Sequence, residues 1–229
     1  MSFIHHVPFQ RLGLPPIQLK YHQQAKRLKL AIVRSQIRLT VPSCCSQQQI
    51  NQFLVQSENW LIQTWNQQQL DRTLPTQLQF FNLKNAVIIF YTKQKELYHF
   101  DLDENKLLID QTRSEQALKQ FIFDYAKKYL TDYLQQLSQE ISLSFNKSNI
   151  RMTKTGWGSC SAQKNIMLHA GLVLFEQNIV RYVCIHELVH TLQMNHSAAF
   201  WAEVEKHDSL FKIHSKFLKN NRLPFWMQE

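Results

Sequence analysis

His186-Glu187-Leu188-Val189-His190, with Asn195-His196 just beyond it, decides how this 229-residue chain is read. On a helix, the two histidines of an H-E-x-x-H run lie one turn apart on the same face and can share a metal ion. The glutamate between them is then placed to handle the proton of a metal-activated water. His196 stands six residues past His190, the offset of the third histidine in H-E-x-x-H-x-x-G-x-x-H zinc sequences. Ile185, Leu188 and Val189 make the surrounding helix apolar on nearly every face, so the motif is expected to be buried. Without partners, two such histidines and a glutamate would cost on the order of several kcal/mol.

A catalytic zinc takes three protein ligands. The next turn of the helix ends at Met194, which offers none, so the third must come from beyond it. His196 is the first choice because Asn195 suits a left-handed cap and a sharp chain reversal. Glu203, Glu205, His207 and His169 compete for the position, while His5, His6, His22, His99 and His214 read as ordinary surface or core residues. One zinc ion (Zn2+) per chain is expected, with Glu187 as general base toward water and then as proton donor to a leaving amine. Arg151, Tyr182 and His207 stay open as stabilisers of the developing oxyanion.

Hydrophobic residues make up 44% of the chain and aromatic residues 12%, enough for a real core in one domain with at most a small appendage. Only six prolines and four glycines argue against long disordered linkers. No apolar run follows a basic stretch in Met1–Pro16, so no signal peptide is expected. The most apolar stretch, Ile179–Met194, holds Arg181, His186, Glu187 and His190, which are too polar for lipid, so no membrane partner is expected. Cys44, Cys45, Cys160 and Cys184 form no C-x-x-C pair and predict reduced thiols in a cytoplasmic protein. Cys160 has no evident base beside it and reads as structural.

The net charge of +9 is uneven: residues 1–57 contain no Asp or Glu, yet hold Arg11, Lys20, Lys26, Arg27, Lys29, Arg34 and Arg38. Such a segment attracts nucleotides, nucleic acid or acidic protein surfaces. A solvated basic sheet face is the plainer account of it, and no RNA-type stacking motif accompanies the charge.

Period-two alternation predicts antiparallel strands at Ile17–Tyr21, Leu28–Ile32 and Ile37–Val41. Ser46 and Gln49 form a capping box for one helix to about Gln69. Strand-like runs follow at Gln79–Tyr91 and Glu96–Ile109, then a helix from about Ser114 to Ser138. Strands at Asn149–Lys154 and Ile166–Ala170 flank the loop Gly156-Trp157-Gly158-Ser159-Cys160, and the metal helix is expected over Gln177–Met194. Ser197 and Asp208 can cap two last helices. No internal repeat is visible. The fold class is α+β: a basic, β-rich N-terminal region with one helix over 1–112, then a mostly helical region carrying the metal motif over 113–229, packed as one unit.

The stretch from Trp157 to Trp201 resembles the YgjP-like zinc metallopeptidases, relatives of the SprT-like group. The matching pieces are Trp157-Gly158-Ser159-Cys160, Ile166 with Leu168, Tyr182-Val183 followed by His186-Glu187-Leu188 and His190, and Asn195-His196-Ser197 with Phe200-Trp201. The resemblance implies a zincin-like helical metallopeptidase core over 113–229 and a zinc-dependent peptidase, with His186, His190 and His196 as ligands and Glu187 as catalyst. Gly156 stands where such sequences commonly carry arginine, which weakens any role for this loop in binding an anionic group. His169 likewise replaces a common asparagine, and the usual proline before the metal helix is missing near Phe175.

A polypeptide is the expected substrate, because strand Ile166–Ala170, beside the metal helix, could pair with an extended peptide. The alternatives are a metal-dependent nucleoside triphosphate pyrophosphohydrolase and a non-enzymatic nucleic-acid adaptor with structural zinc. Both would use the basic N-terminal region. Against the adaptor, structural zinc normally closes with a fourth protein ligand.

Overall fold

Ile37, Leu39 and Val41 are fully buried while Arg38 and Thr40 between them are half-buried, the alternation that a one-sided sheet demands. They lie on β4 (Gln36–Pro42), which follows β1 (Ser2–Ile4), β2 (Ile17–His22) and β3 (Lys29–Val33). The computed structural model describes residues 2–4, 14–33, 36–70, 73–153 and 156–227. His5, His6, Arg11, Arg34 and Lys154 fall outside the described residues.

The strands are not all antiparallel as expected. The order is β1-β2-β4-β3, with β4 parallel to β2 (Ile17 opposite Ile37) and antiparallel to β3. The β3–β4 hairpin swings past β2, so β4 takes an inner position and β3 the edge. Ser46 caps α1 (Gln47–Gln56) through the expected box: its hydroxyl accepts from Gln49 N–H at 3.3 Å, and Gln49 Oε1 accepts from Ser46 N–H at 2.8 Å. The single helix expected to Gln69 is broken at Ser57. Its N–H returns to Phe53 and Leu54, while its carbonyl accepts from Leu61 to start α2 (Glu58–Leu70). Serine followed by glutamate favours a helix start over a helix interior. Ile50, Leu54 and Leu61 then join the buried face of the sheet.

The chain forms two compact units, Met1–Thr73 and Leu74–Glu229. The division falls earlier than the 112/113 boundary read from the sequence, because the later strands pack with the helix that follows them. These are β5 (Gln77–Leu78), β6 (Val87–Thr92), β7 (Tyr98–Asp101) and β8 (Lys106–Asp110), in the order β5-β6-β8-β7. The β6/β8 pair is parallel and the other two are antiparallel, so the second unit repeats the first unit's sheet strand for strand. The repeat is invisible in the sequence because a pleated face fixes only alternation, not residue identity.

Leu118, Phe121, Ile122, Tyr125, Leu130, Leu134 and Leu137 line the buried face of α3 (Ser114–Glu140) at helical spacing. A three-stranded sheet follows, built from β9 (Lys147–Arg151), β10 (Gly158–Cys160) and β11 (Asn165–His169) in the order β10-β11-β9. Then come α4 (Gln177–Val189), α5 (Ala198–His207) and α6 (Phe211–Asn220). The helix α4 is covered on nearly all sides, packing against α3, α5, α6 and β10.

The metal helix ends at Val189 rather than Met194. Thr191 and Leu192 N–H groups bond to the Leu188 and Val189 carbonyls three residues back, and the Thr191 hydroxyl adds a 2.7 Å bond to Leu188 O. This tightening turns the chain before Asn195 is reached. Asn195 is accordingly not left-handed; Asn105, Ser142 and Lys164 are the non-glycine residues with positive φ among those described. No described helix is long and apolar enough to cross a membrane.

Candidate metal centre

His186 projects from the last turn of α4 and His190 from its C-cap, and His196 comes back to them from the segment before α5. His186 Nε2 lies 3.2 Å from His190 Nε2 and 3.0 Å from His196 Nε2. Three ring nitrogens facing one another cannot all be satisfied by protons, since a shared proton serves one pair and leaves the third atom without a partner. One cation satisfies all three. Nitrogens bound tetrahedrally at zinc distances stand about 3.3 Å apart, close to the spacing seen here. No fourth His, Cys, Asp or Glu joins the group among the described residues. The donor set therefore fits a divalent metal of the zinc type.

The surrounding structure keeps the rings in ligating form. His190 Nδ1–H donates to Gln193 O at 2.9 Å, which leaves its Nε2 lone pair directed at the group. His186 is pushed down to about 3, first by burial and then by the charges of His190 and His196, so its neutral form prevails at neutral pH. Its Nδ1 is buried with no hydrogen-bond partner. Fully buried Phe200 packs against all three rings, with centroid distances of 4.9, 4.5 and 4.8 Å to His186, His190 and His196. Ser197, the expected cap of α5, accepts from Phe200 N–H at 3.2 Å and so fixes where that ring enters. Trp201 stacks on the exposed His196 ring.

Glu187 is 5% exposed, and burial raises its pKa to about 8. Its Oε2 has no hydrogen-bond partner. The carboxylate lies against β10 at Gly158, where a Cβ would stand 2.5 Å from Oε1 and 2.7 Å from Cδ. Only glycine leaves that space. The contact was not evident from the sequence, although a glycine flanked by Trp157 and Ser159 in the matching loop was its one signal.

The competing ligands are engaged elsewhere. His169 accepts from Gly171 N–H through Nδ1 at 2.9 Å and so carries its proton on Nε2, which donates to Thr153 O at 3.1 Å. Glu203 bonds Lys206 and His207, and Glu205 is exposed. Among the oxyanion candidates, Tyr182 lines the cavity of about 290 Å³ that holds His186 and Glu187; Arg151 and His207 do not. Cys160 has its thiol pKa raised by burial and then by Glu187, the opposite of an activated nucleophile. The strand expected to receive a peptide, β11, is flanked on both sides by β10 and β9, so the free edge beside Glu187 belongs to β10.

Converging imidazoles with a buried glutamate between them on one helix are the arrangement of a metal-dependent hydrolase. The family model described as YgjP-like, metallopeptidase domain, matches residues 26–221, and the chain belongs to that family. No curated protein matches the chain. A similar solved structure is that of the metallopeptidase zymogen abylysin of Pyrococcus abyssi. It is 26% identical, with the match covering 40% of this chain and 97% of that one at a TM-score of 0.33.

Proposed function

We propose that the protein is a zinc-dependent peptidase in which His186, His190 and His196 hold the ion and Glu187 is the general base. The observation that carries this reading is the meeting of three Nε2 atoms beside a carboxylate whose Oε2 has no protein partner. When bound, zinc supplies Lewis acidity that polarises a carbonyl and makes water deprotonate near neutral pH. Glu187 Oε2 takes the proton of the attacking water and returns it to the leaving amine. Gly158 keeps the carboxylate in place. Tyr182, in the same cavity, offers its hydroxyl to the carbonyl oxygen as negative charge develops. An extended peptide laid along the free edge of β10 would bring its scissile bond past Glu187.

The test is Glu187→Gln in the zinc-loaded protein, assayed by amine release from an unstructured protein substrate. Zinc content should stay at one per chain while turnover falls by roughly 10²–10⁴. A fully active variant would rule the mechanism out.

A second contact, with nucleic acid, is favoured by one observation within the first unit. Lys26, Arg27 and Lys29 line a cavity of about 610 Å³ together with Trp60, which is 47% exposed. An exposed ring beside cations is the pairing used for stacking on unpaired bases. The sequence hid it because Trp60 is far from the basic run. Salt-dependent binding of a single-stranded oligonucleotide that weakens in Trp60→Ala tests it; equal binding by both proteins would exclude it.

A further inference from the structure

Trp157, Leu218 and Lys219 line the cavity that holds Glu187, and the same three residues line a second cavity of about 480 Å³. The two spaces therefore adjoin across a shared wall, the second lying beyond the first as seen from the metal centre. Met152, Leu223 and Met227 give the second space an apolar wall beside the polar Thr153, His169 and Asn221, and Arg222 stands with Lys219 along it. Both cations are exposed, and neither forms an ion pair among the described residues. Apart from Glu187, no described acidic side chain lines either space. Lys219 stands on α6 and Arg222 on the segment after it, so this positive charge comes from that side of the space.

Two cations with no ion pair among the described residues, set beside an apolar wall, favour a negative group on a hydrophobic stem. Arginine's planar fork matches a carboxylate in two parallel bonds, and a concave wall focuses the attraction. We propose that this second cavity is a substrate subsite that receives a carboxylate carried on an apolar stem, held by Lys219 and Arg222. The proposal rests on the peptidase reading and names the substrate class that reading leaves open. Either an acidic side chain or the C-terminal carboxylate of the peptide presents this chemistry.

The experiment uses zinc-loaded protein and a peptide series differing in one group: Glu against Gln near the scissile bond, and free acid against amide at the C-terminus. The carboxylate form should be cleaved with about tenfold higher kcat/KM, and the preference should shrink as salt rises. Loss of rate on Glu-to-Gln exchange assigns an acidic side chain, and loss on amidation assigns the C-terminus. Lys219→Glu with Arg222→Glu should abolish the preference and favour a Lys-containing peptide instead. Calorimetric binding of the same peptides to the Glu187→Gln protein reads the preference without turnover. Equal cleavage and equal binding across the series would overturn the subsite while leaving the peptidase reading intact. Preferred binding of the carboxylate forms with no cleavage of any peptide would overturn the peptidase reading and leave the subsite standing. Preference for a nucleoside triphosphate over every peptide, lost in the double variant, would replace the carboxylate with a phosphate and overturn the proposal.

Discussion

Gly158 and Glu187 are in direct contact: a Cβ on the glycine would stand 2.5 Å from Glu187 Oε1. β10, an edge strand of its sheet and the proposed seat of a peptide, is thus also the surface on which the glutamate rests. The two roles meet at one residue without a side chain.

Gly158→Ala is expected to leave the fold and the zinc content unchanged, since the displaced group is the flexible end of a side chain. The carboxylate must move, and a displacement of about 1 Å costs about 10² in kcat. Turnover together with metal analysis checks this; an undiminished kcat would show that Glu187 does not act from the seat described.

Phe200 supports all three imidazoles at once, so its removal affects stability and metal binding together. Phe200→Ala should cost about 3–5 kcal/mol in denaturant unfolding. It should also weaken zinc retention by roughly 10–100-fold in a chelator competition. A stability loss with unchanged zinc affinity would mean that the rings are held in place by other contacts.

Buried His169 gives the fold a pH dependence. Burial lowers its pKa, with the Thr153 hydrogen bond opposing in part. The unfolded chain therefore takes up the proton first, at about pH 6.5. Stability falls as pH drops below that value toward the folded pKa, and above it the residue contributes no slope. His169→Asn should flatten this component in urea melts between about pH 7 and 5. An identical slope in both proteins would assign the titration to another group.

Much of the site could be read from local pattern. The capping box at Ser46 and Gln49, the cap at Ser197 and the candidate ligands His186 and His190 depend on spacings of three or four residues, which a helix fixes. Features set by distant neighbours could not be read this way. The parallel pairing of β2 with β4 reverses an order that alternation alone cannot determine. The early end of α4 follows from Thr191 bonding back to Leu188, which displaced the expected role of Asn195. Choosing Tyr182 over Arg151 and His207 required knowing which side chains line one cavity.

The zinc content of His196→Ala, measured beside the wild-type protein after dialysis against a weak chelator, tests the central claim most directly. His196 Nε2 is 3.0 Å from His186 Nε2 although ten residues separate them, so its ring belongs to the group only through the turn before α5. The wild type should retain one zinc per chain and the variant well under half. Equal retention by both would contradict the three-histidine centre.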